Sequence, residues 1–435
     1  MEHREDEQKT WVCLEEEDIP QTQQTEKKID KPKPEKPPRK HKRKHKKTKG
    51  FKLRMTAGIL AGLAGLYCLL VFSHISFIER WRTIYIETAM GTMTHQWLAT
   101  AFLPQSVIDD VMNGRATVLL EQQDYNSTWD KTVTANQAAI GTWDEIKPKF
   151  EQLYSEIDGT SFWKYMASHT RDEVVDDDGY LCIDEADYDA EETGIKTTYG
   201  DDVCAIDTRN GIVIVSLTGE GYQGRLAIIK DPAMVSVAAA SDYGKKGSYL
   251  YEICEENDAV LGINASGFDD PEGSGNGGDS YGIIRASGVM VHDVMDMNMK
   301  VISLSSSNQL NISNTLPDDA RDAVQFSPAL VINGKQLISG SSGWGLQPRS
   351  VIGQSRDGQM LMAIVDGRQP GYSIGITLGD LTDILYQYGA FQACNLDGGS
   401  SAIMYYNGRE ITHSSAATPK KGRHIPDAWI VKKAE

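Results

Sequence analysis

One stretch of the sequence constrains the chain before any other. Residues 55–78, MTAGILAGLAGLYCLLVFSHISFI, contain no Asp, Glu, Lys or Arg. At about 1.5 Å per residue, a helix of this length crosses a hydrocarbon core about 30 Å thick. The run is too long for the apolar core of an ordinary signal peptide, and 54 residues precede it. We therefore predict a transmembrane helix over residues 55–78; the competing interpretation is a buried core helix.

The charges on the two sides of this run predict its direction. Residues 27–54 carry a net charge of +13, whereas only Arg80 and Arg82 lie close after the run. Because Lys and Arg stay on the cytoplasmic side, we predict a single-pass protein of the cell membrane with an extracellular C-terminal part. The Lys- and Pro-rich composition predicts that residues 1–54 form a disordered cytoplasmic tail. Its positive charge would also attract anionic lipid headgroups.

The rest of the chain is acidic, with a net charge of −23 over residues 55–435. This argues against a nucleic-acid partner, because neutralising phosphates needs Lys and Arg on the contacting surface. Apolar residues at helical spacing, followed by an Asp- and Glu-rich segment, predict a helical stalk and an acidic polar region over residues 79–200. The acidic run is interpreted as a solvated loop, because its spacing does not match a calcium-binding loop.

From about residue 201 the chain changes to short apolar runs separated by turn signals, which predict β-strands. Three Asn-Gly or Asp-Gly pairs predict hairpin turns at residues 333–334, 357–358 and 407–408. One amphipathic helix is predicted from Thr377, a capping residue, to Tyr388. The expected fold class is therefore α+β, with a large mixed β-sheet and few helices over residues 201–435.

Two acidic residues follow predicted strands in the same way. Asp366 ends the run MLMAIVD and Asp397 ends FQACNLD, and the predicted helix lies between them. A strand, helix and strand in this order form a parallel pair, so both strands end at one sheet edge, where ligands gather. If the strands are neighbours, about 4.8 Å apart, the two carboxylates point into one crevice. We predict that they form a site; the alternative is two ordinary turns, since Asp-Gly is common in turns.

Other polar residues lie close to these acids in the sequence. A predicted strand ends at Asn264, and a glycine-rich loop with several acids follows it, which is either a ligand-approaching loop or a surface loop. Arg349 and Arg368 carry planar guanidinium groups suited to phosphate oxygens, although an Arg near an Asp is often an ion pair. Ser400 and Ser401 lie in no G-x-S-x-G motif, so we expect them to donate hydrogen bonds rather than attack substrate.

At these residues the sequence resembles the phosphodiester glycosidases. That family shares a domain with the enzyme that uncovers mannose 6-phosphate by removing N-acetylglucosamine from a phosphodiester, and its bacterial members are often labelled exopolysaccharide-biosynthesis proteins. The resemblance covers about residues 255–432 and rests on GINASGF, FSPALVINGK, QPRSVIG, VDGR and NLDGGSSAIM. In the last motif, Ser400 and Ala402 stand where the family usually has a third Gly and a later Ser.

The resemblance implies hydrolysis of the bond between a sugar's anomeric carbon and a phosphodiester oxygen, in a surface or exopolysaccharide glycan. Asp397 and Asp366 would divide the catalytic work as a carboxylate pair. The implied substrate-binding residues are Arg349 and Arg368 for the phosphate, Asn264 and Asn395 for the sugar, and Gly398, Gly399, Ser400 and Ser401 in the turn.

Three alternatives stay open. The same carboxylates suit a divalent cation, and calcium fits oxygen ligands outside the cell best. The altered Gly and Ser positions also fit a non-catalytic surface protein that binds or helps assemble a phosphate-bearing polysaccharide. The third alternative is a signalling or scaffold protein in which the basic N-terminal tail carries the function.

Overall fold

The computed structural model of the protein describes residues 48–130, 133, 136–271, 275–418 and 421–434. The predicted disordered tail therefore lies outside the described residues up to residue 47. Helix α1, Thr48–Phe72, contains a 22-residue segment, Phe51–Phe72, with a mean hydropathy of 2.1 and almost no burial. This helix is long and apolar enough to serve as a single membrane anchor. It ends at Phe72 rather than at residue 78, and a separate helix begins at Ser76.

A compact helical segment follows α1 and confirms the predicted helical region. It consists of α2, Ser76–Met90, the short α3, Trp97–Thr100, and α4, Gln105–Gln122. These helices share a small core, formed by Ile86, Ala89, Ala99 and Ile108. Four short helices come next and precede the sheets: α5 Trp143–Ile146, α6 Phe150–Leu153, α7 Gly159–Ser168 and α8 Arg171–Val174.

Within the described residues the strands form three sheets, and two further helices, α9 Leu250–Glu256 and α10 Leu378–Gln387, lie between strands in the chain. The described strands are β1 Cys182–Asp184, β2 Asp202–Asp207, β3 Ile212–Gly219, β4 Tyr222–Ile229, β5 Val235–Ala239, β6 Ala259–Asn264, β7 Ile284–Ala286, β8 Val289–His292, β9 Lys300–Ser305, β10 Leu310–Ser313, β11 Ala320–Phe326, β12 Ala329–Ile332, β13 Lys335–Gln336, β14 Arg349–Ser355, β15 Met360–Val365, β16 Ala390–Asn395, β17 Met404–Tyr406, β18 Arg409–Glu410 and β19 Asp427–Lys432.

The largest sheet has nine strands in the order β1-β2-β3-β4-β15-β14-β16-β12-β13. Two five-stranded sheets have the orders β10-β9-β11-β7-β8 and β18-β17-β6-β19-β5. The fold class is thus α+β with large sheets, as predicted, and the pairings between neighbouring strands are antiparallel.

Both faces of the nine-stranded sheet are apolar, because its central strands alternate between two cores. In β15, Leu361, Ala363 and Val365 pack with α10 and the aromatic residues of α5 to α7. Met362 and Ile364 face the opposite core, which the nine-stranded sheet shares with the two smaller sheets. The central strands are therefore fixed on both sides, and their ends are held in place with them.

The expectation that β15 and β16 are neighbouring strands is wrong. They run in the same direction, but β14 lies between them and pairs with both, with Arg349 opposite Val365 and Val351 opposite Asn395. The two predicted acids therefore do follow strands that end at one sheet edge, yet two strand spacings, roughly 10 Å, separate them. The start of β14, at Arg349, lies at the same edge.

Candidate active site

Asp397 lies in the turn that follows β16, and its backbone is held from two sides. Its N–H donates to the carbonyl oxygen of Ala265 at 3.0 Å. Its own carbonyl accepts a hydrogen bond of 2.6 Å from Asn264 Nδ2 at the end of β6. Asn264 is fully buried, and its Oδ1 accepts from the Ile403 N–H at 3.3 Å. Asn264 thus joins two sheets and positions Asp397, instead of facing a ligand.

Asp397 is a half-buried residue, and burial raises the pKa of its carboxyl to about 6. A hydrogen bond from the Ser401 side chain and the positive charge of Arg423 lower the pKa, whereas the charge of Asp270 raises it. A carboxyl in this state exchanges its proton near neutral pH, which suits acid or base catalysis.

The turn after Asp397 needs glycine at two positions. A Cβ atom on Gly398 would lie 2.7 Å from the carbonyl oxygen of Pro348. Gly399 has a φ of +61°, and a Cβ there would lie 3.2 Å from both Nη atoms of Arg368. The two glycines therefore let the backbone approach β14 and bring the turn against a guanidinium group.

Arg368 lies on one side of this turn. Its backbone is in the left-handed region, with a φ of +60°. Its Nε donates to Gln347 Oε1 at 2.9 Å, and its Nη2 makes a longer contact of 3.4 Å with the carbonyl oxygen of Gly91, just after α2. Burial lowers the pKa of Arg368 and the charge of Asp397 opposes this, so the two groups lie within electrostatic reach of each other.

Arg423 lies on the other side of the turn and was not among the site residues expected from the sequence. Its Nη1 donates to Asp270 Oδ2 at 2.6 Å and to Ser400 Oγ at 3.2 Å. Its guanidinium group also lies over the ring of Phe268, 4.5 Å from the centroid. The hydrogen bond from Arg423 lowers the pKa of Asp270, which keeps that carboxylate charged.

A third carboxyl, Asp427 at the start of β19, was also missed. It is fully buried and accepts hydrogen bonds from the Ser266 N–H at 2.9 Å and from Ser266 Oγ at 2.8 Å. Burial raises its pKa to about 7, and the charge of Asp397 contributes to this rise. The acids that the fold collects around Asp397 are thus Asp270 and Asp427.

Asp366 is not part of this group. It is fully buried, and each carboxyl oxygen has a partner: Tyr372 Oη donates at 2.8 Å and the His413 N–H at 3.0 Å. Burial raises its pKa to about 6. The residue after His413, Ser414, donates from its Oγ to the carbonyl oxygen of Ser400 at 2.7 Å. Asp366 therefore reaches the Asp397 turn indirectly, through the segment that it holds.

Arg349 lies at the correct sheet edge, but its side chain turns away from the acids. It is buried, and its Nη2 donates to the carbonyl oxygens of Trp344 at 2.9 Å and Gly345 at 2.8 Å. Burial lowers its pKa to about 9, and the charge of Glu87 opposes this. Glu87, a buried residue of α2, accepts hydrogen bonds from the N–H groups of Gly343 and Gly345. Helix α2 thus holds the loop that carries Gln347, the partner of Arg368.

Asn395 is buried at the end of β16. Its Nδ2 makes a long contact of 3.4 Å with the carbonyl oxygen of Ser327, and its Oδ1 accepts no hydrogen bond from the described residues. Within the described ranges, no group of three or more His, Cys, Asp and Glu side chains lies close enough to hold a metal ion. The described residues therefore provide no such group of ligands for the calcium ion considered above.

The residues that were missed share one property. Arg423 and Asp427 are single charges in the last 13 residues, and neither belongs to a repeated strand-end pattern. A charged residue at the first position of an apolar run, as in DAWIV, is the signal that could have identified Asp427, because carboxyl groups are seldom fully buried without a partner.

Three comparisons with known proteins bear on this site. Residues 257–432 match the model of a family described as phosphodiester glycosidase, which confirms the resemblance found in the sequence. An uncharacterized protein derived from the SPbeta prophage of Bacillus subtilis (strain 168) is 27% identical over 175 residues, which are 36% of this chain and 26% of the relative. The chain thus spans about a quarter of the length of that curated relative.

Two solved structures are similar over about half of the chain. The catalytic domain of zebrafish N-acetylglucosamine-1-phosphodiester alpha-N-acetylglucosaminidase, auto-inhibited by its pro-peptide, is 18% identical with a TM-score of 0.42, covering 51% of this chain and 82% of that one. A hypothetical protein from Synechocystis is 15% identical with a TM-score of 0.40, covering 55% of this chain and 65% of that one.

Proposed function

We propose that residues 257–432, a phosphodiester glycosidase domain by their family match, hydrolyse the bond between a sugar's anomeric carbon and a phosphodiester oxygen. The observation that best supports this is the half-buried Asp397, whose pKa is raised to about 6, in a turn with Arg368 on one side and Arg423 on the other. The carboxyl supplies proton transfer, and the guanidinium groups supply charge for a phosphate.

In the proposed reaction, water adds to the anomeric carbon and the bond from that carbon to the phosphate oxygen breaks. One proton leaves the water, and the phosphate departs as a monoester anion. Asp397 acts as the acid or the base in this exchange. Because a phosphate is a good leaving group, stabilising its charge with Arg368 and Arg423 matters as much as protonating it.

We give Asp366 a positioning role in this reaction. Both of its oxygens are already occupied, by Tyr372 and by the His413 N–H, and β14 separates it from Asp397. Through Ser414 it supports the carbonyl oxygen of Ser400 and thereby the shape of the Asp397 turn. The acid–base pair expected from the sequence is replaced by one acid with two arginines.

The experiment is an assay of the full-length chain in detergent on simple sugar-1-phosphodiesters, starting with the methyl phosphodiester of N-acetylglucosamine 1-phosphate. Asp397→Asn should lower kcat/KM by about 10² to 10⁴, the usual contribution of general acid–base catalysis. Asp383→Asn is the matched control, since that carboxyl is exposed on α10 and accepts a hydrogen bond from Gln336. Full activity of Asp397→Asn would remove Asp397 from the mechanism.

A second candidate function is glycan binding without turnover. The departures at Ser400 and Ala402 favour it, because Ala402 lacks the hydroxyl that the phosphodiester glycosidases usually carry at that position. This candidate expects retention of a phosphate-bearing polysaccharide by the wild-type chain without release of reducing sugar. Rapid release of reducing sugar from such a glycan would refute it.

The proposed location is the outer face of the cell membrane, with a surface or exopolysaccharide glycan as substrate. The net charge of +13 over residues 27–54 supports a cytoplasmic N-terminus. Reporter fusions after residue 90 test this: alkaline phosphatase should be active there and green fluorescent protein dark. The reverse pattern would place the glycosidase domain inside the cell.

A further inference from the structure

Helix α2 presents an exposed aromatic stripe. Phe77, Trp81 and Tyr85 follow each other at intervals of four residues, so they lie on one face of the helix. They are 72%, 55% and 44% exposed. Ile86, on the opposite face, is buried, and so is Ala89, which follows Tyr85 at the same interval. Phe77 and Trp81 contact each other edge to face, and Tyr85 Oη donates to the carbonyl oxygen of Leu98 at 2.5 Å, yet all three rings keep a large exposed surface.

The stripe forms one wall of an apolar groove of about 560 Å³. The other walls come from the last turns of α1, with Tyr67 and Leu70, and from the segment after α3, with Phe102 and Leu103. Tyr67 Oη donates to the carbonyl oxygen of Phe102 at 2.9 Å. Phe102, which is 59% exposed, is thus tied to a residue that lies one turn inside the end of the apolar helix.

Exposed large apolar side chains are concentrated in this part of the chain. Seven exposed large apolar residues lie between residues 75 and 102, whereas the described residues from 103 to 434 contain eight: Leu120, Tyr199, Tyr281, Val289, Val294, Met297, Ile374 and Tyr386. The remaining members of the first group are Ile75, Met93 and Trp97. An isolated apolar side chain on a surface needs no explanation, but a dense group such as this marks an interaction surface.

We propose that α2 and residues 97–103 lie in the headgroup layer of the bilayer that α1 crosses, with the aromatic stripe toward the lipid. Trp and Tyr are enriched at membrane interfaces, and helices with one apolar face lie in the interface plane. The hydrogen bond between Tyr67 and Phe102 supports a bilayer rather than a protein as the occupant. Since Tyr67 belongs to the span Phe51–Phe72, its partner must enter the same layer.

Arg82 fits this placement. Its Nη1 donates to the carbonyl oxygen of Ser73 at 2.9 Å and lies 3.4 Å from that of Leu70, at the C-terminal end of α1. These carbonyls have no partner within the helix, so Arg82 satisfies them where the chain leaves the apolar layer. The same contacts hold α2 to the last residues of α1.

The experiment measures tryptophan fluorescence of the full-length chain in phosphatidylcholine vesicles whose lipids carry bromine in the upper part of the acyl chain. The wild type should lose a larger fraction of its fluorescence to bromine than the double variant Trp81→Tyr, Trp97→Tyr, which keeps an aromatic ring at both positions. Trp129→Tyr is the control, because the Trp129 indole donates to the carbonyl oxygen of Leu310 in the sheets. Its removal should not reduce the quenched fraction.

Equal fractional quenching of the wild type and the double variant would overturn the proposal. It would mean that Trp81 and Trp97 face water, a second copy of the chain or another protein. A loss of quenching in the Trp129→Tyr variant that matches the double variant would overturn it as well, because the lipid contact would then belong to the sheets. Neither readout depends on enzymatic activity.

Discussion

Asp397 and Asp366 are alike in every property that the sequence displays and differ in the contacts that determine a role. Each follows a buried strand of the same sheet, each strand ends at the same edge, and burial raises both pKa values to about 6. Asp397 is half-buried in a glycine turn between two guanidinium groups. Asp366 is fully buried, and its two carboxyl oxygens accept hydrogen bonds from Tyr372 Oη and from the His413 N–H. The strand brings a carboxyl to the edge, and the segments that pack on it afterwards decide whether it meets a substrate.

The sharpest way to break this comparison is to remove the charge from each acid in turn. Asp397→Asn should cost about 10² to 10⁴ in kcat/KM, or roughly 3 to 5 kcal/mol of transition-state stabilisation, whereas Asp366→Asn should cost less than about tenfold. Steady-state kinetics on one sugar-1-phosphodiester measures both variants. Equal losses would restore the acid–base pair expected from the sequence.

The next test concerns the charge beside the Asp397 turn. Arg368→Gln should raise KM for the phosphodiester by about 10- to 100-fold and lower kcat less, because a guanidinium group binds phosphate in the ground state as well as in the transition state. Arg356→Gln is the matched control, since Arg356 is an exposed arginine in the turn after β14, at the opposite end of that strand. An unchanged KM in Arg368→Gln would mean that Arg423, and not Arg368, binds the phosphate.

Stability should reverse the ranking of the two acids. Asp366→Ala removes two buried hydrogen bonds, from Tyr372 Oη and from the His413 N–H, which should cost about 2 kcal/mol. Asp397→Ala should cost less, because Asp397 is a half-buried residue whereas Asp366 is fully buried. Thermal unfolding of the variants in one detergent compares them. A larger loss of stability for Asp397→Ala would contradict the positioning role of Asp366.

The local features of the fold could be read from the sequence. Thr377 caps α10 by accepting from the Asp380 N–H, as its position before an amphipathic run predicted. Asn333-Gly334 and Asn407-Gly408 have positive φ at both residues, the geometry that such pairs favour in hairpins. These features depend on a few consecutive residues, so the sequence contains what determines them.

The order of the strands could not be read in the same way. The insertion of β14 between β15 and β16 depends on pairing of β14 with β16, across a helix and a turn, and no local pattern specifies such a contact. The same limit hid Arg423 and Asp427, which reach Asp397 only after β19 pairs with β6. The motif NLDGGSS identified the turn itself. Its glycines are required because a side chain at either position would lie too close to Pro348 or Arg368.

The smallest expected effect separates the two serines of the turn. Ser401→Ala removes a hydrogen bond that lowers the pKa of Asp397, so this pKa should rise from about 6 by up to about one unit, since a net hydrogen bond is worth about 1 kcal/mol. The limb of the pH–rate profile that Asp397 governs should then move to higher pH. Ser400→Ala is the matched control, because the Ser400 hydroxyl bonds to Arg423 instead. A limb that moves equally in both variants, or downward in Ser401→Ala, would mean that the limb belongs to another group, and Asp427, with a pKa of about 7, would be the first to test.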